Sequence, residues 1–175
     1  MAELKPVMSV AELDAFMERE FPQMRMGADT TTIEAVGPGF ARLRLGFSER
    51  NLRPGGTISG PAMMALADYA MYAAVLAHIG PVGLAVTTSL HIDFMRRPAQ
   101  ADILAEARLL KLGRALAVGA IELTQGFLCE TVALEVAGYE GRCFVRCCPC
   151  YCGSILCVAL GLAPGIMSRD ACWPV

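Results

Sequence analysis

The chain has 175 residues, a net charge of −2, 55% hydrophobic residues and 18% charged residues, against a usual charged share of ~25%. That length supports one domain with a real core and leaves little room for two, and the near-neutral charge excludes the basic footprint of a nucleic-acid binder. So apolar a chain has to bury much of its surface, within the domain or against further copies of itself.

The N-terminal stretch MAELKPVMSVAELDAFMEREFPQM is amphipathic and mixed in charge, without the apolar centre of a secretory signal. Ser9 opens SVAE, a capping box closed by Glu12, and Leu13, Phe16, Met17 and Phe21 follow at helical spacing. A helix is expected over about Val10–Glu20, with Pro22 ending it. TTTIEAV (30–36) is β-branched and FARLRLGF (40–47) alternates imperfectly, so two strands are expected to pair as a hairpin through Gly37–Gly39.

SERNLRPGG is a loop. Ser59 or Gly60 is placed to cap a long helix, Pro61 suits its first turn, and Gly80 with Pro81 stops it. Pro61–Ile79 is the longest apolar run, but Asp68 splits it and Ala and Met dominate, so it is expected to be a buried helix and not a membrane span. Three strand-like segments follow: LAVTTSLHIDFM (84–95), ADILAEARLLKL (101–112) and ALAVGAIELT (115–124), the last two joined tightly enough for a hairpin. FLCETVALEVAG (127–138) adds a further strand. Short links favour antiparallel pairing, and the expected layout is α+β: one antiparallel sheet wrapped around one long apolar helix.

All eight cysteines lie between Cys129 and Cys172. The cysteine-free body points to a reducing compartment, and a cytoplasmic location is expected. The division expected is a domain over 1–138 and an atypical Cys-rich tail over 139–175, whose abrupt change of composition is also what a frame shift produces. Cys143, Cys147, Cys148, Cys150 and Cys152 fit no common zinc spacing and have no histidine near. No metal and no cofactor is expected.

Asp68 is the only carboxylate in its helix. Burying it is costly unless it is paired, so two readings stand level: a buried Asp satisfied locally, or a general base at a site. RPGGTISGP brings glycines and a helix N-terminus together, either as a plain capped loop or as an oxyanion site, where the Gly60 N–H is the natural donor. Asp68 lies eight residues beyond Gly60, about 12 Å along one helix, too far for both to act on one atom. If both serve one site, they come from two copies of the chain. His78 and His91 stand alone and read as structural. Arg96, Arg97, Lys111 and Arg114 fall at strand ends, as a solvated rim or as a basic rim for an anionic ligand.

SGPAMMALADYA (59–70) followed by GLAVTTSLHIDFMRRPAQADILAEARLLKLGR (83–114) resembles the hotdog-fold acyl-CoA thioesterases of the phenylacetate-degradation, PaaI-like type, over about residues 30–124. The resemblance implies a hotdog fold, an acyl-CoA substrate, and a homodimer or dimer of dimers whose site takes residues from both chains, with no nucleic-acid or membrane partner. The family's pattern is Asn, a spacer, His-Gly-Gly and a helical acid seven residues on. Asn51 matches the Asn, Ser59 stands where His is common, Gly60 matches the first Gly, Pro61 replaces the second, and Asp68 matches the acid. The resemblance implies that Asp68 is general base or nucleophile and that the Gly60 N–H polarises the thioester carbonyl. Asn51, Ser59 and Thr88 would orient water or substrate. Met64 and Tyr72 would line the acyl groove, and Arg96, Arg97 and Arg114 would meet the CoA phosphates. The alternative on the same fold is an acyl-ligand binder without turnover.

Overall fold

The structure, a computed structural model, describes residues 4–22, 31–126, 130–137 and 158–161. Helix α1 spans Val10–Glu20. Glu12 donates its N–H to Ser9 Oγ at 3.3 Å, and Ser9 donates its N–H to Glu12 Oε2 at 2.8 Å, which closes the capping box. The Ser9 N–H holds the Glu12 carboxyl below the usual carboxylate range. Leu13, Phe16 and Met17 are buried.

Strands β1 (Thr31–Gly37) and β2 (Phe40–Leu45) form the expected hairpin, turning at Gly39, whose φ of +72° favours glycine. A short ribbon follows, β3 (Leu52–Arg53) with β4 (Thr57–Ile58). Helix α2 then runs Gly60–Ile79. Strands β5 (Val86–Ser89), β6 (His91–Phe94), β7 (Ile103–Leu112), β8 (Leu116–Gln125), β9 (Glu130–Ala137) and β10 (Val158–Gly161) complete the described strands, and a 3-10 turn, Glu49–Asn51, precedes β3.

The main sheet is antiparallel, in the order β1-β2-β7-β8. Beyond β8, β9 pairs with β8 and β6, while β10 pairs with β8 and β5. The single strand expected over 84–95 is therefore two strands broken at Leu90. Its neighbour changes there from β10 to β9, so one straight ladder is not available to it. The expected strand over 127–138 is found as β9.

The sheet curls around α2. Ala41, Leu43, Ile103, Ala105, Ala107, Ala117, Ile121 and Leu123 point inward and are fully buried, as are Ala67, Met71, Ala74 and Leu76 of the helix. Alternation along β2, β7 and β8 sends Arg42, Arg44, Glu106 and Arg108 outward, where Arg42 and Arg108 pair with Glu106 and Arg44 pairs with Glu34. By length and composition α2 would suit a bilayer, but protein covers most of it, which accounts for its near-uniform apolarity.

His78 is buried at the C-terminal end of α2. Its Nδ1–H donates to Ala74 O at 2.7 Å and its Nε2 accepts the Gly39 N–H at 2.9 Å. It ties helix to hairpin, in agreement with its structural reading.

Helix and sheet approach closely at Gly119 of β8. A Cβ there would lie 2.5 Å from Met71 Sδ and 2.8 Å from Arg108 O. Because Met71 is fully buried and Arg108 O is backbone, neither has room to yield. Gly119→Ala is expected to cost about 1–3 kcal/mol of stability, measured as a lower denaturant midpoint at unchanged m-value.

Candidate active site

Ser59 caps α2. Its Oγ accepts the Ala62 N–H at 3.4 Å, and its own N–H donates to Asn51 O at 2.7 Å. Gly60 is the first helical residue, so its N–H has no acceptor within the helix. The ring of Phe94 lies against Gly60: a Cβ added there would come within 3.2 Å of Phe94 Cζ. Asn51 Nδ2 is buried and lacks a hydrogen-bond partner among the described residues.

The ribbon leading into this terminus is fastened to the loop after β6. Thr57 Oγ1 donates to Pro98 O at 2.8 Å, Gln100 Nε2 donates to Gly56 O at 2.9 Å, and the Arg97 guanidinium donates to Gly55 O. Buried Gln125 of β8 holds the same loop, accepting the Ala99 N–H at 2.8 Å and donating to Ala99 O and Ala101 O at 3.0 and 2.8 Å. The helix N-terminus thus rests on a framework of neutral and charged hydrogen bonds.

Asp68 lies two turns further along, half-buried, and accepts a hydrogen bond from Thr87 Oγ1 of β5. It borders a cavity of about 740 Å³. Ala65, Tyr69 and Tyr72 of α2, Glu20 and Phe21 at the end of α1, and residues 83–87 form the other walls. Tyr72 Oη donates to Gly83 O at 3.2 Å. Burial, and then the negative charge of Glu20, push the Tyr72 phenol up, so it stays protonated and neutral at ordinary pH.

Pro61, Met64, Ala65, Asp68 and Tyr72 recur at helical spacing. This is the face of α2 that the sheet leaves uncovered, with Met64 37% exposed. Beside it Leu84, Val86, Phe94 and Met95 are 49–67% exposed, so the carboxylate stands in an open apolar surface.

The residues singled out from sequence separate into groups. Asn51, Ser59 and Gly60 come together at the helix N-terminus. Asp68 and Tyr72 come together at the cavity. Met64 is on the uncovered face but not among the cavity walls. The hydroxyl on Asp68 belongs to Thr87; Thr88 points the other way and is exposed, as strand alternation requires. The four cations are not one cluster. Arg96 and Arg97 precede β7 and Arg114 follows it with Lys111 near the same end, and β7 is ten residues long, about 33 Å of extended chain. Thr87, Glu20 and Phe21 were not singled out. Only the Thr-Thr pair carried any signal for the first, and nothing local marks the end of α1 as a cavity wall. The tail cysteines 143–152 lie outside the described residues.

Thr87→Val is expected to lower turnover by roughly tenfold, in the range for losing one hydrogen bond to a charged group. Thr87→Ser, which keeps the hydroxyl, should restore most of it in the same steady-state assay.

The model of the thioesterase superfamily matches residues 55–126. A solved structure from Silicibacter sp. TM1040, described as a candidate thioesterase, is 39% identical, covers 93% of this chain and 97% of its own, and superposes with a TM-score of 0.72. PaaI of the E. coli phenylacetic acid degradation operon is 25% identical over 72% of this chain and 87% of its own, with a TM-score of 0.56. Zebra fish thioesterase superfamily member 2, at 17% identity, shares the fold over 89% of this chain and 99% of its own, with a TM-score of 0.67. No curated protein sequence matches the chain. With its antiparallel sheet closed around α2, the chain belongs to the thioesterase superfamily, as a PaaI-like protein of the hotdog fold.

Proposed function

We propose that the protein is a cytoplasmic acyl-CoA thioesterase that works as a homodimer or a dimer of dimers. The observation that carries this reading is the half-buried Asp68, hydrogen-bonded by Thr87, at the edge of a 740 Å³ cavity on the uncovered face of α2. Within one chain the Gly60 N–H is about 12 Å away along the helix. A second copy packed on the same apolar face would bring its Gly60 toward this Asp68 and would cover the exposed Met64, Val86 and Phe94.

In that seam the acyl group occupies the cavity beside Tyr72, and the thioester carbonyl oxygen accepts the hydrogen bond of the partner's Gly60. Asp68 takes a proton from water as the water oxygen bonds to the carbonyl carbon. The C–S bond breaks as the tetrahedral intermediate collapses. Coenzyme A leaves with the sulfur and takes up a proton, and the free acid remains. Asp68 as direct nucleophile gives the same products through an anhydride that water then opens. Asn51 Nδ2 is a donor for the carbonyl or for the water, and Ser59 fixes the helix start. Arg96 is a cation for the CoA phosphates, with Arg97, whose guanidinium also donates to Gly55 O, beside it in the chain; Arg114, at the opposite end of β7, is not placed with them.

One observation favours a second reading, an acyl-ligand binder without turnover: Ser59 replaces the family's His, and its oxygen accepts the Ala62 N–H at the helix cap. A panel of acyl-CoAs with thiol detection separates the two. Release of free CoA above the buffer rate supports hydrolysis, while heat of binding in calorimetry with no thiol release supports the binder.

A further inference from the structure

The edge of the sheet beyond β8 is built in an unusual way. β9 runs antiparallel to β8 from Gln125↔Glu130 to Gly119↔Ala137. β10 runs antiparallel to the same side of β8 from Gly119↔Val158 to Leu116↔Gly161. Ala137 and Val158 both face Gly119, with strand direction kept and the register displaced by one residue. Two residues facing one is the count of a β-bulge, here with segment 138–157 between them.

The neighbouring strand answers the break. β6 pairs with β9 through His91↔Val136, and β5 pairs with β10 through Ser89↔Ala159, leaving Leu90 level with the junction. Gly119 at the same level is where Met71 of α2 presses on the sheet. The β5–β10 ladder then skips Thr88, pairing Leu160 with Thr87 and Gly161 with Val86. Among the described strands β5 pairs with β10 alone. Among the described strands, Thr87, whose hydroxyl bonds Asp68, is therefore joined to the sheet only through Ala159–Gly161.

We propose that Glu130–Ala137 and Val158–Gly161 are two halves of one final strand, and that the second half is a positioning element that holds Thr87 on Asp68. The tail beyond 139 then supplies part of the site's support and is no mere appendage. The effect on turnover rests on the thioesterase reading above; the strand pairing does not.

The experiment uses the full chain and two variants. Leu160→Pro removes a backbone donor opposite Thr87. Deletion of residues 138–158 joins Ala137 to Ala159, which face Gly119 and Val118 as neighbours in one unbroken strand would, with side-chain alternation preserved. Amide hydrogen exchange followed by mass spectrometry reads β5 directly. In Leu160→Pro the 86–89 amides should exchange at least tenfold faster while those of α2 keep their protection, and kcat should fall on the order of tenfold with KM within about twofold. The deletion variant should fold, protect 86–89 as the full chain does, and retain kcat. Unchanged exchange at 86–89 in Leu160→Pro, or loss of that protection in a soluble deletion variant, overturns the proposal. A deletion variant that aggregates overturns it as well. If the full chain hydrolyses no acyl-CoA, the functional reading fails, and the exchange data still decide the strand assignment.

Discussion

Asp68→Asn is expected to lower kcat for acyl-CoA hydrolysis by roughly two to four orders of magnitude, the range for a general base, with KM changed little. The substitution keeps shape and volume. The amide oxygen still accepts the Thr87 hydroxyl, so the fold and the cavity wall persist. What disappears is the ability to take a proton from water or to attack the carbonyl carbon. A side chain in this position has no evident structural work that Asn could not do: its described partner is a neutral hydroxyl, and no cation lines the cavity among the described residues. Steady-state kinetics with the thermal midpoint as a folding control measures the effect. Full activity in a folded Asp68→Asn protein would remove the carboxylate from the mechanism.

Gly60→Pro tests the other half of the site. The proposed oxyanion donor is a backbone N–H, and proline is the substitution that deletes it while suiting the first helical position. Ser59 before it is extended, at φ −76° and ψ 150°, which is what a residue preceding proline requires. The cost is expected to be roughly 10²–10³ in kcat, as for other single oxyanion donors. Gly60→Ala is the control for crowding, since its Cβ meets the Phe94 ring at 3.2 Å but its N–H remains. The contact is with Cζ, the far end of the Phe94 side chain, which has to give by only a few tenths of an ångström, so the Ala variant should keep most of its activity. Equal losses in the two variants would assign the effect to the ring contact.

Local chemistry made much of this fold legible. The capping box at Ser9, the Ser59-Gly60-Pro61 start of α2, its Gly80 stop and the Gly113 hairpin turn each depend on residues a few positions apart. The break at Leu90 was not legible, because it is imposed by strands paired from far along the chain, β9 on one side and β10 on the other. Thr87 and Thr88 are adjacent hydroxyls, and only the parity of β5 against α2 decides which one faces Asp68. The cations do not lie together, because position at a strand end says nothing about which end. Arg97 and Arg114 are separated by the whole length of β7. Glu20 and Phe21 reach the cavity through the docking of α1, a tertiary contact without a local signature.

The departures from the family's pattern also gain a physical reading. Ser59 has its oxygen held at the helix cap by the Ala62 N–H, and its short side chain reaches less far than the imidazole it replaces. Pro61 leaves Gly60 as the single free donor of the Gly-Gly pair. Asn51 Nδ2, buried and unpartnered among the described residues, is the remaining donor at that terminus.

The central claim is that one working site needs Asp68 from one chain and Gly60 from another, and complementation measures it directly. Asp68→Asn and Gly60→Pro proteins, each inactive alone, are unfolded together, refolded at equal concentration and assayed. Random pairing makes half the dimers mixed, and each mixed dimer holds one intact site, so about one quarter of the wild-type activity should return. Activity no higher than the sum of the two separate variants, with mixed dimers demonstrated by native mass spectrometry, would contradict a site shared between chains.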